Sequence, residues 1–158
     1  MKPPRPILPF PIPLHIGTDI CRVSRILSIL TNPKRGRRFV DRVLSPEERG
    51  LRRVRSALGE GYWGKEAWRG GDVGVAEFVA GRFAAKEAAF KAHPFRRLTF
   101  HDIVIRPTSD GEESGPIVAV IRGEEVDQMA MVSISHDGDY ATAVCLGFDP
   151  TRKQPSDR

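Results

Sequence analysis

A carboxylate stands where a helix should place an apolar side chain. In "AAKEAAF", residues 84–90, Glu87 lies four residues after Phe83 and three before Phe90. On a helix that turns about 100° per residue, these three positions share one face with Val79. We therefore expect the Glu87 carboxylate to point toward the core side of this helix rather than toward water.

Two interpretations of Glu87 fit this pattern. Lys91 follows four residues later, and such a pair can form an ordinary salt bridge worth about 0.2 to 0.5 kcal/mol. Alternatively, a cation or a phosphate-bound metal stabilises a carboxylate that is held in a partly dry place. The helix alone leaves both interpretations open.

Asp19 raises the same question at the end of "LHIGTDI", residues 14–20. An aspartate before a helix is a common N-cap, and that role alone would explain it. Gly17, two residues earlier on the same strand face, leaves room for a close approach to Asp19. Asp19 and Glu87 together form the sparse oxygen set that Mg²⁺ uses when waters and substrate phosphates complete its shell.

His136 and a basic segment are further candidates for binding anions. His136 ends a predicted strand, where it could be a hydrogen-bonded surface residue or a phosphate contact. The other histidines do not have the spacing of zinc ligands relative to it. The segment "PKRGRR", residues 33–38, fits a solvated surface or a nucleic-acid patch. No stacking aromatics interleave with it, and the sequence has no Walker loop, dinucleotide fingerprint or zinc-finger spacing.

The composition indicates one domain with anionic partners. The 158 residues are 40% hydrophobic, and 25 Lys and Arg against 20 Asp and Glu give a net charge of +5. Cys21 and Cys145 have no metal-type spacing, so we expect two buried thiols in a reducing compartment. No apolar run approaches the roughly 20 residues of a membrane span, so no membrane contact is expected.

Periodicity predicts the elements that position these residues. A half-buried strand at 14–20, with Leu14, Ile16 and Ile20 in its apolar phase, precedes a helix from about Ile20 to Leu30. A second helix begins near Pro46 with Ser45 as its cap. The glycine-rich stretch 56–75 reads as a long mobile loop, and the longest helix spans Glu77 to Ala92. Strands at "FHDIVIRP" and "PIVAVIRG" and a hairpin around "HDGD" follow, with a short helix or a turn at "GEEVDQ". Strands gathered late in the chain predict an α+β fold.

Three motifs, in order, resemble the holo-acyl-carrier-protein synthases of the 4'-phosphopantetheinyl transferase superfamily. They are "IGTDI", "FVAGRFAAKEAAFKA" and "VSISHDGDYATAV", supported by "RRFVDRVLSPEE" and "LTFHDIVI". The resemblance covers about residues 16–148. It implies a small antiparallel sheet packed with helices, including a long central helix near 77–92. The matched part lies in one predicted domain over 14–149. The glycine-rich insertion at 56–75, a proline-rich arm at 1–13 and a polar tail at 150–158 fall outside the resemblance.

The resemblance also implies roles for individual residues. Asp19 and Glu87 would hold Mg²⁺, and Glu87 and Lys91 would be catalytic. Five side chains would contact coenzyme A: Arg82, Lys86, Lys91, Ser135 and His136. Members of this family are typically homotrimers with active sites between subunits, and three basic side chains would meet an acidic acyl carrier protein: Arg25, Arg38 and Arg42.

The implied reaction moves the phosphopantetheine arm of coenzyme A onto a serine of the carrier protein and releases adenosine 3',5'-bisphosphate, a step of fatty acid biosynthesis. Glu87 or a water on the metal would take the serine proton. The glycine-rich insertion could be a lid, a docking surface or a loop. The arm and the insertion suggest a mitochondrial relative, with the cytoplasm as the alternative. A basic nucleic-acid protein and a carrier-protein scaffold without activity are the competing functions, and we expect no nucleic-acid partner.

Overall fold

The computed structural model describes residues 12–59, 62, 71–108 and 115–148. Most of the proline-rich arm, the polar tail and much of the glycine-rich insertion lie outside these residues, so the predictions made for them are not tested here. The described part confirms the predicted α+β class, a five-stranded antiparallel sheet packed with helices. No helix in this part is long and apolar enough to cross a membrane.

The sheet is antiparallel throughout, in the order β1-β5-β4-β3-β2. Its strands are β1 Leu14–Arg22, β2 Ile103–Pro107, β3 Ile117–Ile121, β4 Gln128–Asp137 and β5 Tyr140–Phe148. The predicted hairpin is confirmed, since β4 and β5 pair from Asp137↔Tyr140 around a turn in which Gly138 has a φ of 53°. Residues 124–126 form a bend, so the "GEEVDQ" segment is a turn and not a helix.

The first helix, α1, spans Val23–Thr31 and therefore begins three residues later than predicted. Pairing with β5 continues as far as Arg22↔Tyr140, so residues 20–22 remain in the strand. Asp19 is consequently inside β1 and is not an N-cap, and that alternative is wrong. Asp139, in the hairpin turn, accepts hydrogen bonds from the backbone N–H and the hydroxyl of Ser24 at the start of α1.

Three helices follow α1 along the chain: α2 Pro33–Val43, α3 Pro46–Gly50 and α4 Arg52–Leu58. Helix α2 was not predicted, because its arginines obscure the buried positions Gly36, Val40 and Val43, which recur at helical spacing. Helix α3 begins at Pro46 with Ser45 as its N-cap, as predicted, and Ser45 and Glu48 form a complete capping box. Because α4 extends to Leu58, the predicted loop does not begin at residue 56.

Helix α5, Val73–Ala92, is the longest helix and lies across the sheet. It begins four residues earlier than predicted, with Asp72 as its N-cap, and ends at His93. Its small residues are buried, and they include Ala76, Ala80, Ala84, Ala85, Ala88, Ala89 and Ala92. Val79 is fully buried, whereas Phe83, Glu87 and Phe90 on the same helix face are partly buried, and the two phenylalanines pack against the core.

The sheet has one covered face and one apolar outer face. On β1, Gly17 and Cys21 are buried, and Gly17 lies against α5, whereas Ile16 and Ile20 are 71% and 66% exposed. The predicted apolar phase of this strand therefore points away from the helix. The same outer face carries further exposed apolar side chains, namely Met129, Met131, Val144 and Phe148. The two cysteines are buried free thiols, as predicted.

Candidate active site

Asp19 and Glu87 come together where β1 meets α5. Burial raises the pKa of the Glu87 carboxyl above its ordinary value, and the Asp19 carboxylate raises it further. Lys91, Arg25 and Arg42 act on this pKa in the opposite direction. Glu87 is half-buried rather than directed into the core, so the structure corrects the predicted direction of its side chain. The site therefore holds two like charges in a partly desolvated place.

Lys91 completes this arrangement, which we call the carboxylate cluster (Asp19, Glu87 and Lys91). Its Nζ donates to Asp19 Oδ1 at 2.9 Å and to the carbonyl oxygen of Thr18 at 2.8 Å. Within the described part of the chain, Lys91 thus pairs with Asp19 on the neighbouring strand and forms no ion pair with Glu87. The simple i, i+4 salt bridge considered for Glu87 is therefore wrong.

Two arginines lie near the carboxylate cluster, each over an aromatic ring. The Arg25 guanidinium lies 5.5 Å from the centroid of Phe83, and that of Arg42 lies 5.8 Å from the centroid of Phe100. Rings of an aromatic cluster stack or meet edge to face at 5.1 to 5.8 Å, and its members are Phe39, Phe83, Phe90 and Phe100. Phe83 and Phe90 flank Glu87 in this cluster, and Phe39 and Phe100 are members that the helix pattern could not indicate.

The donors of the carboxylate cluster fit a hard divalent cation. Two carboxylates from different elements leave most of a six-oxygen shell to water and substrate phosphates, which is how Mg²⁺ is commonly held. Burial, and after it the charge of Asp19, raises the pKa of Glu87, and a bound cation would offset both effects. Among the described residues no group of three or more His, Cys, Asp or Glu side chains is placed to hold a metal alone.

His136 lies at a separate cleft. Its Nε2 donates to the carbonyl oxygen of Glu77 at 3.0 Å, and its ring packs over Gly81. The cleft, about 750 Å³, runs between α5 and strands β3 and β4. Its lining includes Arg53, Phe78, Arg82, Thr108, Met131 and His136. We refer to it as the His136 cleft.

The carboxylate cluster and the His136 cleft are not brought together within one chain. Gly81, under His136, and Glu87 are about 9 Å apart along the axis of α5 and lie on different faces of that helix. On the sheet, Cys21 and His136 both pair with Ala141, so two strand spacings, about 10 Å, separate β1 from β4.

Two predicted coenzyme A contacts are buried. Lys86 is fully buried, and its Nζ donates to Glu48 Oε2, to the Val43 carbonyl oxygen at 2.6 Å and to the Phe100 carbonyl oxygen at 2.7 Å. An ammonium has three protons, so Lys86 has none left for a phosphate. Arg82 is 3% exposed and donates to the Ile105 carbonyl oxygen. It borders the His136 cleft chiefly through its stem.

Ser135 and Arg38 lie apart from both groups. Ser135 is exposed and alternates with Ile134 and His136 along β4, so it belongs to the outer face of the sheet. Arg38 is exposed on α2, one helical turn before Arg42. Sequence reasoning missed Glu48, whose carboxylate is fully buried. The segment "SPEE" signals a helix start, but the capping box alone does not reveal that its last residue is buried with Lys86.

Comparison with known proteins places this geometry in a family. Residues 15–145 match the family model of the 4'-phosphopantetheinyl transferase superfamily. The chain belongs to this superfamily. The mitochondrial 4'-phosphopantetheinyl transferase B of Aspergillus fumigatus is 36% identical, over 89% of this chain and 97% of that protein. The holo-[acyl-carrier-protein] synthase of Geobacillus kaustophilus is 40% identical, over 81% and 83%.

Solved structures agree with the sequence relatives of this superfamily member. The holo-(acyl-carrier-protein) synthase of Bacillus anthracis, crystallised with coenzyme A, matches with a TM-score of 0.56 and 30% identity, over 84% of this chain and 93% of that one. The predicted family and enzyme class are therefore confirmed, and the chain is a phosphopantetheinyl transferase of the holo-[acyl-carrier-protein] synthase type.

Proposed function

We propose that this enzyme transfers the 4'-phosphopantetheine group of coenzyme A to a serine of an apo acyl carrier protein, with Mg²⁺ and with release of adenosine 3',5'-bisphosphate. The main support for this proposal is that Asp19, Glu87 and Lys91, from two different elements, lie close together. Relatives of this chain are named for the same activity.

The carboxylate cluster suits a phosphoryl transfer from a pyrophosphate, a reaction that depends on positioning and on neutralising charge. Asp19 and Glu87 would hold the metal, which would neutralise charge on the pyrophosphate when bound. Lys91 is 52% exposed and can turn its ammonium from Asp19 toward a phosphate. In the His136 cleft, His136 and the edge of Arg82 are the candidates for further contacts with coenzyme A.

We further propose a homotrimer with the active site between subunits. Two observations support assembly: one chain keeps the carboxylate cluster and the His136 cleft apart, and the outer face of its sheet exposes a contiguous set of apolar side chains. Exposed apolar patches of this kind mark contact surfaces. Packing copies through that face would bury the patch, and Ser135 with it, and could bring the carboxylate cluster of one copy to the His136 cleft of the next.

An acidic carrier protein is the proposed partner of the basic surface near Glu87. Arg38 is exposed on α2, and Arg25 and Arg42 project beside the carboxylate cluster. Cationic side chains at the rim of a site attract an acidic partner and orient its serine toward the reacting phosphate. Arg38→Glu should raise the KM for the carrier several-fold and leave the KM for coenzyme A unchanged in steady-state assays at low salt.

The remaining proposals concern the whole chain. We propose one transferase domain over residues 14–149, with the arm and the tail outside it, and a mitochondrial location. The location is supported by the Aspergillus fumigatus relative, whose name places it in mitochondria. Imaging of the full chain with a fluorescent fusion at its carboxyl end tests this location, and a diffuse cytoplasmic signal would contradict it.

The direct test of the function is a transfer assay. The protein is incubated with coenzyme A, Mg²⁺ and several apo carrier proteins, and each carrier is weighed by mass spectrometry. A gain of one phosphopantetheine group supports the proposal, and no gain on any carrier contradicts it. Retained carrier binding without transfer would indicate a scaffold, and tight, salt-sensitive duplex binding without any response to coenzyme A would indicate a nucleic-acid protein.

A further inference from the structure

A buried ion pair joins α3 to α5 directly beside the carboxylate cluster. Glu48 and Lys86 are both fully buried, and their side chains form a salt bridge. The Glu48 carboxylate also accepts hydrogen bonds from the backbone N–H groups of Ser45 and Ile105. Every polar atom of this pair therefore has a partner, as a buried ion pair requires. We call Glu48 and Lys86 the buried clamp.

The buried clamp connects the elements that border Glu87. Lys86 immediately precedes Glu87 on α5, and its ammonium is held by the carbonyl oxygens of Val43, at the end of α2, and of Phe100. Arg42 is the residue before Val43, and its guanidinium lies over the Phe100 ring. Lys86 thus holds Arg42 in two ways. It binds the carbonyl oxygen of Val43, the residue after Arg42, and the carbonyl oxygen of Phe100, whose ring lies under the Arg42 guanidinium.

This arrangement sets both the rotation of α5 about its axis and the position of the end of α2. If α5 rotates, the Glu87 carboxylate turns with it, and if the end of α2 shifts, Arg42 moves relative to Glu87. Three fixed acceptors around one ammonium restrain both motions at once. Glu48 is the only charged acceptor of the three, and its two additional backbone hydrogen bonds anchor it to α3 and β2.

We propose that Glu48 is a positioning residue for the transfer reaction, acting through Lys86 to hold Glu87 and Arg42 at a fixed separation. This inference rests on the proposed function. Glu48 touches neither substrate nor metal, and its effect is on the geometry of the groups that do. A role in stability alone is the competing explanation, because breaking a buried pair destabilises a fold whatever else the pair does.

The two explanations are separated by a variant that removes both charges. In Glu48→Gln/Lys86→Met the amide can still accept the Ile105 N–H, and the methionine fills the space of the lysine stem. The variant also leaves the carbonyl oxygens of Val43 and Phe100 without their donor and removes the carboxylate that lies 4.0 Å from buried Arg82, so we expect a lower melting temperature. The deciding quantity is therefore kcat per folded molecule, measured well below the melting temperature. The positioning role predicts a kcat lowered about tenfold or more with an unchanged KM for coenzyme A, whereas a role in stability alone predicts an unchanged kcat.

Affinity for a metal provides a readout that does not depend on turnover. Mn²⁺ binding, followed by electron paramagnetic resonance without substrates, should weaken several-fold in the double variant because Glu87 is no longer held toward Asp19. Ile121→Val is the control, since Ile121 is fully buried in the core on β3 and forms no part of the buried clamp. It should lower the melting temperature and leave kcat and Mn²⁺ affinity per folded molecule unchanged.

The outcomes are distinct. A folded double variant with wild-type kcat and Mn²⁺ affinity would overturn the positioning role, whereas a wild-type protein that fails to transfer would overturn the proposed function itself. If the double variant does not fold, Glu48→Asp takes its place, because it keeps the charge and withdraws the carboxylate by one methylene. A folded Glu48→Asp protein with lowered kcat supports the proposal, and one with normal kcat contradicts it.

Discussion

Glu87 is held in a state that disfavours its own charge. Its carboxylate is partly desolvated and close to a second carboxylate, Asp19, and both effects raise its pKa. Because Lys91 pairs with Asp19 rather than with Glu87, its charge lowers the pKa of Glu87 but does not bring it back to its ordinary value. A residue that lowers the stability of its own fold in this way is typical of sites at which a ligand supplies the missing charge.

The substitution Glu87→Gln tests this interpretation directly. It should abolish Mg²⁺-dependent transfer, measured by mass spectrometry of the carrier, and leave the melting temperature equal or higher because an unfavourable charge is removed. Glu77→Gln, at an exposed position of the same helix, is the matched control and should change neither quantity. A large fall in melting temperature for Glu87→Gln would indicate that Glu87 serves the fold instead.

The raised pKa of Glu87 also predicts a pH dependence of stability. Its folded pKa lies above its ordinary value of 4.5, so the fold favours the protonated carboxyl. The contribution of this residue to stability is therefore full below that ordinary pKa and is lost as the pH rises through the raised one. The melting-temperature advantage of Glu87→Gln over the wild type should be near zero at about pH 4 and grow toward neutral pH. An advantage that stays constant over this range contradicts the interpretation.

Close contact between β1 and α5 is what brings the carboxylate cluster together. At Gly17 the strand passes so near the helix that an added Cβ would lie 2.6 Å from the backbone nitrogen of Ala92 and closer still to the carbonyl oxygen of Ala88. Such a contact involves two backbones, neither of which can move aside. Gly17 therefore makes room for α5 itself, which lets Lys91 reach Asp19.

Gly17→Ala should separate these two elements. Overpacking of this kind costs about 1 to 3 kcal/mol or more, so we expect a clearly lower melting temperature by circular dichroism and a loss of transfer activity. Gly50→Ala is the control, since nothing lies within 4 Å of its added Cβ. It should be as stable as the wild type or slightly more stable. Equal stability of the two variants would contradict the close-contact explanation.

Two features of the whole molecule have no evident function in a single chain. Its outer sheet face exposes apolar side chains, and its two groups of candidate site residues stand apart. Assembly through the outer face would account for both, since burial of apolar surface drives association. The arrangement of copies, and not the fold of one chain, would then complete the site.

Ile20→Asp places a charge on the outer face, at a position of β1 that is 66% exposed, and tests this assembly. Light scattering after size exclusion should give the wild type about three times the 17.6 kDa chain mass and the variant the mass of one chain. Transfer activity should fall with the trimer. Val126→Asp, at a residue that is 79% exposed in the turn between β3 and β4, should keep the wild-type mass and activity. A wild type that elutes as one chain would contradict the trimer.

Much of this outcome was accessible from sequence patterns of short range. The hairpin around Gly138, the capping box at Ser45 and the position of Glu87 beside Phe83 and Phe90 all follow from spacing within a few residues. Local geometry dictates such features, because a helix turns by a constant angle and a tight turn accepts few residue types. The order of the three motifs also indicated the superfamily, which the comparisons confirm.

Local spacing could not predict which residues far apart in the chain form salt bridges with one another. Lys91 pairs with Asp19, 72 positions away, and Lys86 pairs with Glu48, 38 positions away, although each has nearer candidates. The predicted inward face of β1 also proved to be the outward one. A strand pattern indicates which residues share a face but not which face a helix will cover. Partners and faces of this kind arise only when the whole chain packs, since each depends on the surface that another element presents.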